Sequence, residues 1–225
     1  MEREYHQVPP GSLQGPDPLG GFFVNKPQKW FGGAKMKLKK VGISGLGLVF
    51  FVMITLNCSL LYSADNLPPG SIVPGFKITG PGSPQTKAYL GVNDEKLFSL
   101  SQVKTKLTLV EFFDVFCPVC QKNAPLLNRV YNLFKDDKNL GKDIKMIGLG
   151  LGTQPEDLPA YKKAFKVEFP LFADPKKEIQ KLLKVQGVPL TVLLDKNGKV
   201  LMSHPGAIGN FDGFVSEIKK NYQGR

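Results

Sequence analysis

Two of the chain's three cysteines lie two residues apart in FFDVFCPVCQKNAP, residues 112–125. This stretch begins in a buried-strand pattern, LTLVEFF, and continues into apolar residues at helical spacing. Cys117 therefore caps the start of a helix, where free backbone N–H groups and the helix dipole favour a thiolate. Pro118 fits the next position, because its missing N–H has no partner to lose there. Cys120 follows one turn later on the inner side, so the pattern predicts one nucleophilic and one recessed sulfur within disulfide reach.

Other uses of a close cysteine pair fit this sequence less well. A c-type haem site needs His directly after the second cysteine, where Gln121 stands. Structural zinc needs four ligands, and His204 is the one further His or Cys after residue 64. A chance spacing of the two cysteines is disfavoured, because they lie where a strand ends and a helix begins. A protein that delivers Cu(I) between Cys117, Cys120 and His204 stays open as an alternative, because thiolates suit Cu(I).

The rest of the chain alternates strand-like and helix-like segments. The predicted strands cover 107–113, 144–151, 190–194 and 200–203. The predicted helices cover 118–135, 156–165, 176–185 and 211–222, the first with an apolar stripe of Leu126, Val130, Leu133 and Phe134. The Asn197-Gly198 dipeptide marks a tight hairpin between the last two strands. This order predicts an α/β domain with a mixed central sheet flanked by helices.

Glu111 lies inside the first of these strands and shares a face with Leu109 and Phe113. When helices cover a sheet, both of its faces are buried, so this carboxyl is removed from water and its pKa should rise. A residue pointing to solvent is the alternative. Carboxyls with perturbed pKa values tend to mark functional sites, which makes Glu111 a candidate site residue.

Residues from about 70 to 222 resemble the thioredoxin superfamily, and most closely its exported TlpA/ResA branch of redoxin, AhpC/TSA-like proteins. The matching features are FCPVCQKNAP with Pro125, Glu111 six residues before Cys117, Gly187-Val188-Pro189 before a strand, Gly206-Ala207 before the last helix, and an insert at about 153–175. The resemblance implies a thioredoxin fold with a helix–strand insert and a cis bond before Pro189.

The activity that this resemblance implies is that of an exported thiol–disulfide oxidoreductase. Cys117 attacks a disulfide and Cys120 resolves the mixed disulfide. Glu111 passes a proton, while Val188 and Pro189 hold the substrate backbone. No cofactor or metal is implied, because the protein's own disulfide carries the two electrons. The implied partners are protein disulfide or dithiol substrates, apocytochrome c being one in the family, and a membrane thiol-electron donor.

The sequence also departs from the common patterns of its relatives. Phe116 replaces the usual Trp before the first cysteine, and Pro-Val stands between the two cysteines. The direction of exchange is therefore open: we expect reduction of protein disulfides, with a disulfide-introducing oxidant as the alternative. Peroxidases that share the insert need Thr three residues before the reactive cysteine and Pro four before that. For Cys117 those positions hold Asp114 and Val110.

The N-terminal part has the pattern of an export signal. Residues 1–35 are rich in Pro and Gly without apolar periodicity, so we expect them to be disordered or to precede the true start at Met36. Within 36–64, lysines precede an uncharged apolar run, which predicts a hydrophobic helix that is either a signal peptide or a membrane anchor. The lysine bias puts the following domain outside the cytoplasm, in the periplasm or on the outer face of the cytoplasmic membrane. We expect a linker at 65–85 and a thioredoxin-like domain at 70–225.

Two remaining features suggest no further function. The formal net charge is +11, but the lysines are scattered and do not form the aromatic-interleaved stripe of a nucleic-acid surface, so no nucleic-acid partner is expected. Cys58 lies near the end of the apolar run without the neighbours of a lipid-attachment cysteine. We interpret it as a small apolar residue.

Overall fold

The computed structural model describes residues 67–80, 82–93 and 96–224. The segments predicted at 1–35 and 36–64, with the hydrophobic helix and Cys58, lie outside the described residues. Among the helices that the structure describes, none has the length and apolarity needed to cross a membrane.

Seven strands and six α-helices occur in the described residues. The strands are β1 (Ile78–Thr79), β2 (Leu97–Phe98), β3 (Leu107–Phe113), β4 (Ile144–Leu151), β5 (Leu171–Asp174), β6 (Leu190–Asp195) and β7 (Val200–Pro205). The helices are α1 (Pro84–Leu90), α2 (Pro118–Lys135), α3 (Leu140–Asp143), α4 (Leu158–Ala164), α5 (Glu178–Leu183) and α6 (Phe211–Gln223). Short 3-10 helices at Leu100–Gln102 and Pro155–Asp157 precede β3 and α4.

The central sheet has five strands in the order β5-β4-β3-β6-β7, so β3 lies in the middle. β3, β4 and β5 are parallel neighbours, whereas β6 pairs antiparallel with β3 and β7 antiparallel with β6. β1 and β2 form a separate antiparallel pair. The predicted α/β architecture with a mixed sheet is confirmed, and the helix that carries both cysteines follows the central strand.

β3 is buried along its whole length, and its side chains alternate between two cores. Val110 and Phe112 pack in one core, together with residues of α1, β2 and α5. Leu109 and Phe113 pack in the other, with residues of α2, α4 and α6. Because side chains alternate along a strand, Glu111 faces the same core as Leu109 and Phe113. Its carboxyl therefore lies on the side of the sheet that α2 covers.

Helix α2 has the predicted bounds, with Cys117 as its N-cap and Pro118 in its first turn. Its inner face is mostly apolar and includes Cys120, Ala124, Leu127, Val130 and Phe134. The predicted stripe was wrong at Leu133, which is 42% exposed. At about 100° per residue, Leu133 is turned away from Phe134 and lies beyond the edge of the inner face.

The described part of the expected linker belongs to the packed domain. Gly70 N–H donates to the Val200 carbonyl (2.8 Å), and Val200 N–H donates to the Ser71 carbonyl (2.9 Å). The segment therefore lies along the edge of β7 and satisfies backbone groups that an edge strand leaves free. Four of its side chains are buried: Leu67, Val73, Phe76 and Ile78. The Pro/Gly-rich composition did not reveal this pairing, because backbone hydrogen bonds do not depend on side-chain type.

Candidate active site

The turn between β3 and α2 positions Cys117 at the carboxyl end of the central strand. Asp114 shapes this turn, because its Oδ1 accepts the Phe116 N–H (2.9 Å) and its carbonyl accepts the Cys117 N–H (3.1 Å). At the start of the helix, the Cys120 N–H donates to Cys117 Sγ (3.3 Å). The start of the helix thus directs a backbone N–H at the sulfur of Cys117.

The second sulfur has a different environment. Cys120 is fully buried whereas Cys117 is partly exposed, and both are free thiols. Burial, and next the hydrogen bond with Cys117, raise the pKa of the Cys120 thiol. The Tyr161 hydroxyl donates to the Cys120 carbonyl (3.4 Å) and holds this turn from the side of α4. The structure thus places an accessible sulfur next to an enclosed, protonated one.

The loop before β6 brings Val188 and Pro189 next to the cysteines. Their peptide bond is cis, as expected from the sequence. The Cys117 thiol lies 3.8 Å from the Val188 carbonyl oxygen, which accepts its hydrogen. The Pro189 carbonyl accepts the Gly206 N–H (2.8 Å), which ties this loop to the segment after β7. Val188, 71 residues beyond Cys117, is therefore brought to its sulfur, and Pro189 follows it through the cis bond.

Glu111 lies in β3, six residues before Cys117, and 2% of its surface is exposed. Burial raises its pKa to about 8, while the neighbouring Asn123 amide acts in the opposite direction. The raised pKa expected from the strand pattern is confirmed. The carboxyl also lies near the Cys120 thiol and the Tyr161 hydroxyl, since its charge contributes to the raised pKa of both groups. An acid with a pKa of about 8 can take up and release a proton near neutral pH.

Three residues around Glu111 were not identified from the sequence. Asn123 on α2 and Thr191 on β6 are fully buried polar residues, and Tyr161 on α4 is 1% exposed. Thr191 stands directly opposite Glu111 in the β3–β6 pair. A signal for Asn123 was available, because it lies one turn after Cys120 on the inner face of an amphipathic helix. Thr191 and Tyr161 could be found only from the three-dimensional pairing.

The rim of the site is apolar. Phe116 and Val119, on either side of Cys117, are 54% and 46% exposed. His204 belongs to β7, which runs beyond the predicted strand end at residue 203, and its ring lies 5.1 Å from the ring of Phe214. Within the described residues, no three His, Cys, Asp or Glu side chains are grouped as a metal ion would need.

Comparison with known proteins gives one matching family model and several curated relatives. Residues 69–203 match the model of the AhpC/TSA family. The thiol-disulfide oxidoreductase ResA of Bacillus subtilis is 23% identical over 150 residues, which cover 67% of this chain and 79% of that protein. The thiol-disulfide oxidoreductase ResA of Bacillus thuringiensis subsp. konkukian is 28% identical over 111 residues, 49% of this chain and 61% of that protein. The chain thus spans less than two thirds of the length of this second relative.

Solved structures agree with the fold. A Chlorobium tepidum protein described as a thiol:disulfide interchange protein DsbE superposes with a TM-score of 0.54 at 23% identity, covering 69% of this chain and 98% of the other. A Bacteroides thetaiotaomicron protein described as a protein disulfide isomerase gives a TM-score of 0.53 at 26% identity, covering 68% and 89%. The predicted thioredoxin fold is confirmed.

Proposed function

Because the chain belongs to the AhpC/TSA family and is a thiol–disulfide oxidoreductase of the ResA type, we propose that it reduces disulfides of exported proteins through its Cys117-Pro118-Val119-Cys120 pair. In this proposal Cys117 attacks and Cys120 resolves. Glu111 moves the proton that the second step releases. No organic cofactor is needed, since the two electrons come from the two thiols.

In the first step, the Cys117 thiolate attacks one sulfur of the substrate disulfide. A Cys117–substrate S–S bond forms, the substrate S–S bond breaks, and the other substrate sulfur leaves as a thiolate that takes a proton from solvent. The partial exposure of Cys117 and the Cys120 N–H at 3.3 Å from its sulfur support this role. The apolar rim of Phe116 and Val119 suits a substrate segment with apolar residues near its disulfide.

In the second step, the Cys120 thiol gives its proton to the Glu111 carboxylate and its sulfur attacks Cys117 Sγ. The Cys117–Cys120 disulfide forms, and the substrate sulfur leaves and is protonated. The substrate thereby gains two electrons and two protons. Burial raises the pKa of the Cys120 thiol, so this step needs a base. Glu111, with a pKa of about 8, suits the transfer near neutral pH.

Substrate positioning is the proposed role of Val188 and Pro189. β6 begins at Leu190, so the Val188 backbone lies outside the strand ladder. An extended substrate segment can pair with backbone groups outside the ladder as an added strand. Because Cys117 Sγ lies 3.8 Å from the Val188 carbonyl oxygen, a segment paired with the Val188 backbone would lie against the attacking sulfur.

The direction and location of the reaction are also part of the proposal. The lysine-flanked apolar run at 36–64 supports export, with the domain facing the periplasm or the outer face of the membrane and recharged by a membrane thiol donor. Apocytochrome c is the substrate that we propose first. Val119 stands inside the motif and Lys122 is exposed, so neither places a cation against Cys117. We therefore expect a reduction potential nearer about −270 mV than about −120 mV, measured against glutathione buffers.

The observation that carries the proposal is the pairing of an accessible sulfur at a helix start with an enclosed one a turn later. Cys120→Ser should trap substrates as mixed disulfides on Cys117, because the resolving sulfur is gone. Cys117→Ser should abolish exchange, and Cys58→Ser should leave it intact. Trapping can be read on non-reducing gels after alkylation. Trapping in the Cys117→Ser variant alone would reverse the two roles.

A further inference from the structure

Three buried polar side chains meet on the side of the sheet that α2 covers. Glu111 is 2% exposed, and Asn123 and Thr191 are fully buried. Each has one polar atom without a hydrogen-bond partner among the described residues: Glu111 Oε1, Asn123 Nδ2 and Thr191 Oγ1. An unsatisfied buried polar atom usually costs about 1–3 kcal/mol. Three such atoms in one place indicate that the cluster serves something other than stability.

The three side chains come from three different elements. Glu111 and Thr191 are partners in the antiparallel β3–β6 pair, so both point to the same face with Cβ atoms about 5 Å apart. Asn123 comes from α2, three residues after Cys120, and therefore lies on the same face of the helix as that cysteine. The cluster thus joins the helix that carries both thiols to the two central strands.

The orientation of the Asn123 amide is fixed by a bond on its other side. Asn123 Oδ1 accepts the Ile208 N–H (3.0 Å), so its Nδ2 must point away from Ile208. The opposite side is occupied by Glu111, whose pKa the amide lowers against the effect of burial. The segment that contains Ile208 also contacts the loop before β6, because the Gly206 N–H donates to the Pro189 carbonyl (2.8 Å). Asn123 Nδ2 has no hydrogen-bond partner among the described residues, so the amide is held with a free N–H on the side of the carboxyl whose pKa it lowers.

We propose that Asn123 is a positioning residue that presents an amide N–H to the Glu111 carboxylate and so lets this acid accept the Cys120 proton near neutral pH. The inference rests on the proposed function, in which Glu111 serves Cys120. Without the amide, the carboxylate would lose this donor while burial still disfavours its charge, so it would stay protonated to a pH above the present midpoint of about 8. A protonated Glu111 cannot take the proton that Cys120 must lose.

Other titratable groups lie around this cluster, and their titration has to be distinguished from that of Glu111. They are Asp114 in the β3–α2 turn, Cys117 and Cys120 on α2, Tyr161 on α4, and His204 on β7, which pairs with Thr191. Burial raises the pKa of Tyr161, so its hydroxyl stays neutral in the range of interest. His204→Gln removes the imidazole, and the titration of Glu111 should be the same in that background.

The test is a titration of Glu111 itself in the reduced full-length protein, with ¹³C at the carboxyl carbons of glutamate and NMR detection. The Glu111 signal is assigned by its loss in Glu111→Gln. Its midpoint in the wild type should lie at about 8. Asn123→Asp keeps an acceptor for the Ile208 N–H but replaces the donor with a second carboxyl. It should raise the Glu111 midpoint by at least about one pH unit, since two close carboxyls share a proton.

A second variant and a matched control complete the design. Asn123→Leu removes the donor without adding charge and should also raise the midpoint. Asn128 is a second buried asparagine on α2, whose Nδ2 donates to the Phe165 and Lys166 carbonyls (3.2 and 2.7 Å). Asn128→Leu should lower stability and leave the Glu111 midpoint unchanged. Unchanged midpoints in both Asn123 variants would overturn the inference.

A kinetic readout separates this inference from the proposed function. In Cys58→Ser protein, Cys117 is joined to a chromogenic aromatic thiol, and release of that thiol reports the attack by Cys120. Asn123→Asp should slow the release about tenfold at pH 7, in line with a shift of one pH unit. It should have no further effect in a Glu111→Gln background. If Glu111→Gln released the thiol at the wild-type rate while the Asn123 variants still moved the midpoint, the relay role of Glu111 would fail and the positioning by Asn123 would stand.

Discussion

Two carboxyl side chains are buried beside the central sheet, and their surroundings are opposite. Asp174 ends β5 with 4% of its surface exposed, and its two oxygens accept the N–H groups of Glu178 (2.8 Å) and Gln180 (3.0 Å) at the start of α5. Glu111 lies inside β3 with 2% exposed, and its Oε1 has no partner among the described residues.

The difference separates a carboxylate that builds structure from one that is kept available for chemistry. Charge-assisted hydrogen bonds to backbone N–H groups satisfy the Asp174 carboxylate and stabilise the start of a helix. The ionised form of Glu111 is poorly compensated, so burial makes it bind a proton more tightly. Replacing each carboxyl by an amide, in Glu111→Gln and Asp174→Asn, therefore gives a matched pair of experiments with opposite expectations.

The largest effect should be on the pH dependence of stability. The pKa of Glu111 rises from 4.5 in the unfolded chain to about 8 in the folded protein. Between these values the folded state holds a proton that the unfolded state has lost, so stability falls as pH rises. The loss should be roughly 4–5 kcal/mol between pH 4.5 and pH 8. Chemical denaturation of the reduced protein at several pH values measures it.

Glu111→Gln should remove most of this slope, and Asp174→Asn should keep it. Cys120 does not obscure the result, because its raised pKa affects stability only above the pKa of a free thiol, about 8.5. Equal slopes in the wild type and in Glu111→Gln would mean that the carboxyl is not protonated when the protein folds.

The next effect is on the rate of the second exchange step. A positioned general base usually contributes at least about a hundredfold to rate. Glu111→Gln should therefore slow the resolution of the Cys117 mixed disulfide about a hundredfold at pH 7, while Asp174→Asn leaves it unchanged. Stopped-flow release of a chromogenic thiol gives the rate. A similar loss in both variants would show that any buried carboxyl supports the site only through folding.

A smaller effect is expected on stability at the satisfied carboxyl. Asp174→Asn turns one accepting oxygen into an N–H group that faces the backbone N–H of Glu178 or Gln180. Losing one charge-assisted bond and leaving a donor without a partner should cost about 2 kcal/mol. Denaturation at constant pH measures this cost. A loss of less than about 0.5 kcal/mol in Asp174→Asn would contradict the structural role given to this carboxylate.

The contrast also explains what could be predicted from the sequence. Strand β3 and helix α2 follow from local patterns, because burial on both faces leaves an apolar run and a one-sided helix leaves a stripe. The raised pKa of Glu111 follows from the same run. Asn123 and Thr191 are different, because their importance depends on which strand pairs with β3 and on how α2 lies over it.

Two other features could not be predicted from the sequence for the same reason. The pairing of Gly70 and Ser71 with Val200 uses backbone groups, which carry no side-chain signature. Asp174 and the α5 N–H groups are connected by a turn whose geometry the sequence does not specify. Patterns of two to four residues reveal elements, whereas satisfaction of a buried polar atom is decided by contacts between elements.

The smallest predicted effect tests whether the buried polar atoms without a hydrogen-bond partner add stability at all. Thr191 Oγ1 is buried and has no hydrogen-bond partner among the described residues. Thr191→Val exchanges the hydroxyl for a methyl group of similar size, so it removes an uncompensated polar atom and adds apolar contact. Stability should change by less than about 1 kcal/mol, with a gain as the expected sign. A hydroxyl that was hydrogen-bonded, for instance through a buried water, would instead cost more than about 1 kcal/mol when lost. Denaturation of Thr191→Val at pH 5, where Glu111 is protonated, therefore tells whether the cluster around Glu111 is as unsatisfied as the geometry indicates.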